Sequence, residues 1–392
     1  MKKYDVIIIG AGAAGLSAAR GALSNGRKIL ILDMGGRPAR KVLASGGGRC
    51  NFTNTAVSRD RYFGQNPDFA RSAIAAVKPA DILDWMTARN LRWAEKEPGR
   101  FFCATGSRDI ADALIRDAGG ADIVTNTKVS DIEKTGDEFA VFAANAAYYG
   151  KSVIIATGGI SYPALGVSDF GYVIAKKFGH KIVPPMPGLV AMKTDLFDPG
   201  LAGISLNVEI KSDKKTVSDS LLFTHFGIGG PAAYRASLFD LSKDFHIDFL
   251  PRTNARDWLT RAKQTDGKKS LAAILSGKLP MKFAKWISGN SKTNIADCKD
   301  SEIARISQMI NRFSIPGGAL RRRDLRSAEI VAGGVSTENI SSKTMESKLC
   351  PGLFFAGEVL DIAGDLGGFN LHFAFASGTV AGRYANIINS ER

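Results

Sequence analysis

Short apolar runs and glycine-rich turns alternate at the start of the chain. Residues 6–9 are all Val or Ile and residues 29–32 are all Ile or Leu, so both segments predict buried strands. A helical stretch lies between them, and a glycine-rich turn from Gly10 to Gly15 connects the first strand to that helix. This strand–helix–strand order predicts an α/β fold with a doubly wound sheet.

Later segments extend the same pattern. Residues 151–159 and 351–361 each contain an apolar run followed by a glycine, and residues 370–384 predict a helix. Residues 123–129 and 139–143 are strand-like and resemble the antiparallel excursion of dinucleotide-binding domains. The chain therefore returns to one sheet after long intervals.

The pattern changes in the middle of the chain. Three prolines between positions 184 and 187 predict a crossing into another domain. Residues 188–192 and 205–211 predict alternating strands, and residues 258–312 predict an amphipathic, lysine-rich helical portion. We therefore predict a β-barrel-like plus helical insertion at residues 189–325, between the two parts of a nucleotide-binding domain at residues 1–188 and 326–392.

The glycine-rich turn has the spacing that dinucleotide binding requires. Gly10 permits a tight turn, Gly12 lets the backbone approach a pyrophosphate, and Gly15 lets the helix pack on the sheet. The helix N-terminus favours phosphates, and Asp33, at the end of the second strand, is placed to bind a ribose. The predicted contact residues are Gly10, Gly12, Ala13, Ala14, Gly15, Asp33 and Met34.

Three later segments indicate which dinucleotide is bound. Ala156-Thr157-Gly158 resembles the motif that closes the FAD domain of glutathione-reductase-type flavoproteins, and Gly357 with Glu358 or Asp361 resembles their ribityl-binding strand. A helix follows the glycine-rich turn at residues 364–369, and its positive end would stabilise a reduced flavin. Each segment alone fits an ordinary strand and turn, but their order favours FAD. The contacts predicted here are Ala156, Thr157, Gly158, Gly357, Glu358, Asp361, Gly368, Phe369, Asn370 and Leu371.

Residues 35–54 form a second glycine-rich loop with basic side chains. Its arginines and lysine suit phosphate oxygens, and its glycines let the backbone pass close to a flat ring. The alternative is a mobile loop with solvated charges. Because the loop directly follows the ribose-binding acid, we predict cofactor contacts from Arg40, Lys41, Ser45, Gly46, Gly47, Gly48, Arg49, Cys50 and Asn51.

Taken together, these motifs resemble a known family. GAGAAG, RKVLASGGGRCNFTN, IIATGG, LLFTHFGIGGPA, AGGVSTENISSKTMESK and the segment from Leu353 to Gly378 are similar to the BaiN/YhiN-type NAD(P)/FAD-dependent oxidoreductases, also described as aminoacetone-oxidase-like. The resemblance implies a glutathione-reductase-type FAD-binding domain of Rossmann-like topology, with the Val129 backbone at the adenine. His372 stands where many relatives have Gln, and Gly229 stands where Ser is usual. These two departures bear on the choice of substrate rather than on FAD binding.

Composition agrees with an enzyme that carries an organic cofactor. The 392 residues include 42 glycines, and the four cysteines have no CxxC spacing or histidine pairing, so we expect neither disulfides nor a metal site. No apolar segment is long enough to cross a bilayer or to form a signal-peptide core. We expect a cytoplasmic protein without a membrane partner.

The excess of positive charge suggests an anionic partner. The formal net charge is +14, and residues 252–326 contain 17 Lys or Arg against 6 Asp or Glu. Such an excess could attract nucleic acid. A solvated helical face is the commoner explanation, and steering of an anionic small molecule or NAD(P)H is another.

Few side chains can supply a proton. His225 and His372 are the histidines in motif-like segments and are the predicted catalytic residues, although each could equally be structural. We expect hydride transfer between FAD and a small organic substrate, with NAD(P)H as a transient reductant because no second dinucleotide motif is present. The alternatives are an FAD-dependent RNA-modifying protein and a non-catalytic redox sensor.

Overall fold

The computed structural model describes residues 2–143, 146–289 and 291–385. The strands are β1 (Lys2–Ile9), β2 (Ile29–Leu32), β3 (Asn51–Asn54), β4 (Tyr62–Phe63), β5 (Trp93–Glu97), β6 (Arg100–Cys103), β7 (Asp122–Val124), β8 (Val129–Thr135), β9 (Glu138–Ala143), β10 (Ala146–Ile155), β11 (Ile182–Gly188), β12 (Met192–Lys193), β13 (Ser205–Ser212), β14 (Lys215–Thr224), β15 (Gly227–Gly229), β16 (Phe245–Asp248), β17 (Phe313–Ile315), β18 (Arg321–Arg322), β19 (Ile330–Val335), β20 (Leu353–Phe355) and β21 (Ala363–Gly364). The helices are α1 (Ala13–Leu23), α2 (Arg40–Ala44), α3 (Ala70–Ala76), α4 (Pro79–Thr87), α5 (Ser107–Asp117), α6 (Phe170–Lys177), α7 (Gly230–Ala236), α8 (Ala255–Thr265), α9 (Leu271–Leu275), α10 (Met281–Ile287), α11 (Asp300–Asn311) and α12 (Phe369–Tyr384).

These elements form two compact units. The first takes the described residues up to Pro187 and from Glu329 onward, and the second comprises Gly188–Ala328. These divisions lie one and three residues from the borders drawn from the sequence at positions 188 and 325.

A central sheet organises the first unit. Strands β7, β2, β1, β10 and β20 run parallel in that order, and β9 and β8 extend the sheet antiparallel from the first half of β10. Residues 6–9 and 29–32 are buried, as expected for strands that are covered on both faces. The order is that of the α/β, Rossmann-like sheet predicted from the sequence.

Helix α12 packs against α1 at very short range. A Cβ on Gly378 would lie 2.2 Å from the carbonyl oxygen of Ala14, and one on Gly382 would lie 2.0 Å from that of Ala18. Only glycine permits this approach of the two backbones. The contact fixes the C-terminal helix on the helix that follows the first glycine-rich turn.

One sequence prediction about local structure is wrong. Residues 123–129 are not one strand, because β7 ends at Val124 and β8 begins at Val129. The proline-rich segment lies inside β11, which pairs with β19 in a two-stranded sheet, and the first unit ends at Pro187 within this strand. An edge position tolerates proline because its missing N–H is not needed for a central ladder.

The second unit combines a sheet with helices. Its seven strands pair in the order β17, β16, β13, β14, β15, β12, β18, with antiparallel neighbours, where a barrel-like sheet was expected. The described residues of the lysine-rich portion include the four helices α8 to α11. Aromatic rings pack together in this unit, namely Phe197, Phe223, Phe249, Phe283, Trp286 and Phe313.

In the described ranges, no helix has both the length and the apolar character needed to cross a membrane. Within the same residues, no group of three or more His, Cys, Asp or Glu side chains is placed to hold a metal ion.

Candidate functional site

The turn between β1 and α1 is shaped for close approach to a phosphate. Gly10 has φ of +106°, and a Cβ there would lie 2.5 Å from the carbonyl oxygen of Ala156. A Cβ on Gly15 would lie 1.8 Å from the Gly10 carbonyl oxygen, whereas one on Gly12 would meet no atom within 4 Å. Gly12 caps α1 without a side chain, so the first N–H groups of the helix can bind an anion.

Asp33 connects the end of β2 to this turn. Its two carboxylate oxygens accept hydrogen bonds of 2.7 Å from the N–H groups of Ala11 and Gly35. Arg40 lies 3.2 Å from the same carboxylate and also donates to the carbonyl oxygen of Leu165. Asp33 therefore holds the turn in shape, and its predicted ribose contact stays a prediction.

The second glycine-rich loop is open on one side. Gly46, Gly47 and Gly48 have φ of +57°, +62° and +81°, and a Cβ on either of the last two would meet no atom within 4 Å. Beyond the loop, Asn51 Oδ1 is buried and has no hydrogen-bond partner among the described residues. A buried acceptor without a partner next to an open glycine loop fits a bound polar ring.

Cys50 ends this loop in a left-handed conformation, with φ of +52°. The thiol is fully buried, and burial raises the pKa of Cys50 to about 12. The protonated form is therefore stable at neutral pH, and protonated thiols are poor nucleophiles. The side chain fits the role of a small residue packed beneath the loop.

Glu358 lies at the centre of a polar cluster. Lys41 Nζ is 2.5 Å from its Oε2, and the N–H of Val331 donates to its Oε1 at 2.9 Å. Lys41 also donates to Ser161 Oγ at 2.8 Å. The carboxylate predicted to contact the ribityl chain is thus also an anchor between distant segments.

Asp361, the alternative ribityl contact, has a different neighbour. Its carboxylate accepts a 2.9 Å hydrogen bond from the N–H of Gln65. Burial raises the pKa of Asp361. The two acids therefore occupy different surroundings, and their assignment to the ribityl chain stays a prediction.

The start of α12 places His372 in the core. Gly368 caps the helix with φ of +96°, and a Cβ there would lie 2.6 Å from the carbonyl oxygen of Thr53. His372 Nε2 donates to the Val77 carbonyl oxygen at 3.0 Å, and Nδ1 accepts from Thr53 Oγ at 2.8 Å. Burial lowers the pKa of His372 to about 4, so the ring is neutral near pH 7.

His225 has the opposite environment. It lies in the turn between β14 and β15 in the second unit and is exposed, with its ring edge against Phe226. Neither histidine's catalytic role is tested by these contacts, and both roles stay predictions.

The other predicted contact residues belong to the first unit. They are Ala13 and Ala14 at the start of α1, the exposed Met34 after β2, Ser45 and Arg49 in the second loop, Val129 at the start of β8, Ala156, Thr157 and Gly158 after β10, Gly357 after β20, and Phe369, Asn370 and Leu371 in the first turn of α12.

Sequence reasoning missed several residues that complete these contacts. Ser161 is fully buried and bonds Lys41, and Thr53 and Val77 hold the two nitrogens of His372. Their partners lie far away in the sequence, and Val77 acts through its backbone. No periodicity or motif in the sequence signals such pairs.

The first unit fits FAD. The open space beside Gly12 and the N-terminus of α1, which no side chain caps, suit a pyrophosphate. The unoccupied acceptor of Asn51 and the open loop at Gly47 suit the edge of a flavin ring. These features depend on backbone shape, which glycine makes available.

Comparison with known proteins supports this interpretation. The HI0933-like protein Rossmann domain matches residues 4–384. Proteins named ribosomal RNA dihydrouridine synthase are 38% identical in Haemophilus influenzae, over 96% of this chain and 97% of the relative, and 35% identical in Escherichia coli, over 96% of each. A Clostridium scindens protein named 3-dehydro-bile acid delta(4,6)-reductase is 26% identical over 96% of this chain and 98% of its own length. The chain belongs to the HI0933-like family and is an FAD-dependent oxidoreductase.

Proposed function

We propose that this chain uses FAD to reduce the C5=C6 double bond of uridine in ribosomal RNA. The observation that carries the proposal is the end-to-end similarity to two relatives named ribosomal RNA dihydrouridine synthase. The sequence alone favoured a small organic substrate and held RNA modification as the alternative. The similarity supports that alternative, and the narrower BaiN/YhiN-type assignment stays part of the proposal.

The reaction adds one hydride and one proton to the base. The C5=C6 bond is conjugated with a carbonyl group, so hydride adds at C6 and the proton at C5. Reduced FAD, when bound, supplies the hydride. The chain has to hold the base, exclude water and deliver the proton.

The histidines are the proposed proton sources. His225 is exposed and can exchange protons with solvent. His372 is neutral, and both of its ring nitrogens are engaged with Thr53 and Val77, so it would have to give up one of these bonds to transfer a proton. We therefore assign His225 as the first candidate and His372 as the second.

For electron input we propose transient docking of NAD(P)H. The described sheet of the second unit is antiparallel, which differs from the parallel strand–helix–strand unit that binds a nicotinamide dinucleotide permanently. A weakly bound reductant that reaches the flavin and leaves again fits this architecture.

A second candidate function is reduction of a conjugated double bond in a small molecule. It is favoured by the relative named as a bile acid reductase, which is aligned over nearly its whole length but at lower identity. The bond chemistry is the same as for uridine. The two candidate functions differ in how the protein holds the parts of the substrate that lie away from the reacting bond.

One experiment separates the candidates. FAD-loaded protein is incubated with NADPH and unmodified rRNA transcripts, and the digested nucleosides are analysed by mass spectrometry for dihydrouridine. A parallel reaction contains a conjugated steroid ketone. Dihydrouridine at a defined rRNA position supports the proposal. Steroid reduction without dihydrouridine supports the second candidate, and failure of NADH, NADPH and both substrates to change the flavin spectrum supports a redox sensor.

A further inference from the structure

One stretch of the second unit carries an unusual charge. Residues 267–294 contain six lysines and no Asp or Glu, although 38 of the 392 residues in the chain are acidic. Among the described residues, only Lys269 of these six forms an ion pair, with Asp266 just outside the stretch. The positive charge is therefore not neutralised locally.

The fold directs this charge to solvent. Helix α10 buries Phe283, Ala284 and Ile287 against its own unit. Lys282 and Lys285 lie on the opposite face at the i, i+3 spacing and are exposed. Lys278, also exposed, lies in the turn before the helix. We name Lys278, Lys282 and Lys285 the lysine surface.

Stability does not account for this arrangement. Like charges three residues apart on a helix destabilise it slightly, and a solvated face normally mixes both signs. Elsewhere in the chain exposed lysines do have acidic partners, for example Lys177 with Asp131 and Lys181 with Glu338. An uncompensated surface that costs helix stability is typical of one that binds an anion.

The neighbouring side chains favour nucleic acid. Lys278 Nζ lies 5.7 Å from the ring centroid of Trp258, so an aromatic face adjoins the charge. Aromatic rings next to lysines bind bases and phosphates together. Met281 is the large apolar side chain exposed on this helix, at 50%. One such side chain is a small anchor for insertion into a lipid surface.

We propose that the lysine surface binds the phosphate backbone of the RNA substrate, with Trp258 at its edge. The inference rests on the proposed function, because it assigns the means by which a flavoenzyme would hold a large RNA. It concerns residues of the second unit alone. The FAD contacts of the first unit play no part in it.

The test measures RNA affinity against salt. Wild-type FAD-loaded protein and the triple variant Lys278→Gln, Lys282→Gln, Lys285→Gln are titrated with fluorescent rRNA transcripts. Loss of three phosphate contacts should weaken binding on the order of 10²-fold at low salt and reduce the slope of log K against log salt by about 2 to 3. FAD content and the rate of flavin reduction by NADPH should not change.

Two matched variants control for net charge and folding. Lys3, Lys177 and Lys181 are exposed lysines of the first unit with acidic partners, and changing all three to Gln removes the same charge. This variant should keep the wild-type salt slope. Changing the lysine surface to Arg should restore binding, because the phosphate contacts depend on charge.

The outcomes separate the surface from the reaction. Equal RNA affinity and slope in the triple Gln variant, or an equal loss in the control variant, overturns the inference. If the wild type makes no dihydrouridine but binds RNA through this surface, the surface stands and the proposed function is wrong. Tighter binding to phosphatidylglycerol vesicles than to RNA, lost in the triple variant, would assign the surface to membranes and overturn the RNA inference.

Discussion

Lys41 and Glu358, 317 positions apart in the sequence, form an ion pair with Nζ 2.5 Å from Oε2. Ser161 bonds the same ammonium group, and the N–H of Val331 bonds the same carboxylate. The pair thereby connects α2, which lies in the second glycine-rich loop, with the segments around β19 and β20. A contact that joins two predicted cofactor-binding segments, those of Lys41 and Glu358, stabilises them together.

The first prediction concerns this pair. Glu358→Gln keeps the shape of the side chain but leaves Lys41 without its counter-charge, and both side chains are less than one-third exposed, at 19% and 30%. We expect the free energy of unfolding to fall by about 1–3 kcal/mol, measured by denaturant titration of the FAD-free protein. Glu138→Gln breaks the more exposed pair with Lys3 and should change the free energy of unfolding by no more than about 0.5 kcal/mol. Equal effects would contradict the anchoring role.

The second prediction contrasts two glycines of the same turn. Gly12 has φ of −82°, which any residue adopts, and the space beside it is open. Gly12→Val should therefore fold normally but fail to bind FAD, because the side chain would occupy the pyrophosphate position. Gly15→Val should destabilise the protein itself, since its Cβ would lie 1.8 Å from a backbone oxygen.

Absorbance of bound flavin and thermal unfolding are measured for both variants. A yellow, FAD-saturated Gly12→Val protein would show that the pyrophosphate lies elsewhere. An unfolded Gly12→Val protein would show that the turn has no open side.

The third prediction concerns cysteine reactivity. All four cysteines are free and buried, and burial raises the pKa of Cys50 to about 12. The native protein should therefore react with a thiol reagent at pH 8 much more slowly than the denatured protein, in which all four thiols react. Cys50→Ser should retain catalytic turnover. Rapid labelling of native Cys50 would contradict the buried, protonated thiol.

Local patterns predicted the nucleotide-binding elements because local physics determines them. The apolar runs at residues 6–9 and 29–32 allow little besides buried strands, and the glycine spacing between them requires a tight turn. The strand predicted at residues 123–129 is interrupted at residues 125–128. Periodicity does not show where a sheet changes from parallel to antiparallel pairing. The prolines of β11 lie at the division between the two units, but the pairing of this strand with β19 is a tertiary property that the sequence did not show.

The side-chain partners of the candidate site were beyond sequence reasoning. His372 lies in a sequence motif, but its hydrogen-bond partners are the hydroxyl of Thr53, 319 positions away, and the backbone carbonyl of Val77. Glu358 reads as a ribityl contact, yet it also binds Lys41. Such pairs depend on how distant segments pack, and no spacing rule records them.

The fourth prediction follows from the depressed pKa of His372. In the unfolded chain an ordinary histidine binds a proton below about pH 6.5, whereas burial lowers the pKa of folded His372 to about 4. Keeping His372 neutral in the folded state therefore contributes to the free energy of unfolding in full above pH 6.5. This contribution, about 3 kcal/mol in total, is lost as the pH falls toward 4. His372→Gln should flatten this dependence, while His246→Gln should not. An unchanged pH profile in the His372 variant would contradict the buried, neutral ring.

The last prediction tests the proton donor. His225 is exposed and able to exchange protons, whereas His372 donates to Val77 and accepts from Thr53. If His225 is the acid, His225→Asn should slow substrate reduction by roughly 10²-fold or more, with FAD content and flavin reduction by NADPH unchanged. His372→Asn should instead lower stability. A slow His372 variant that retains its stability would transfer the role to His372, and normal turnover in both variants would leave a tyrosine or water as the donor.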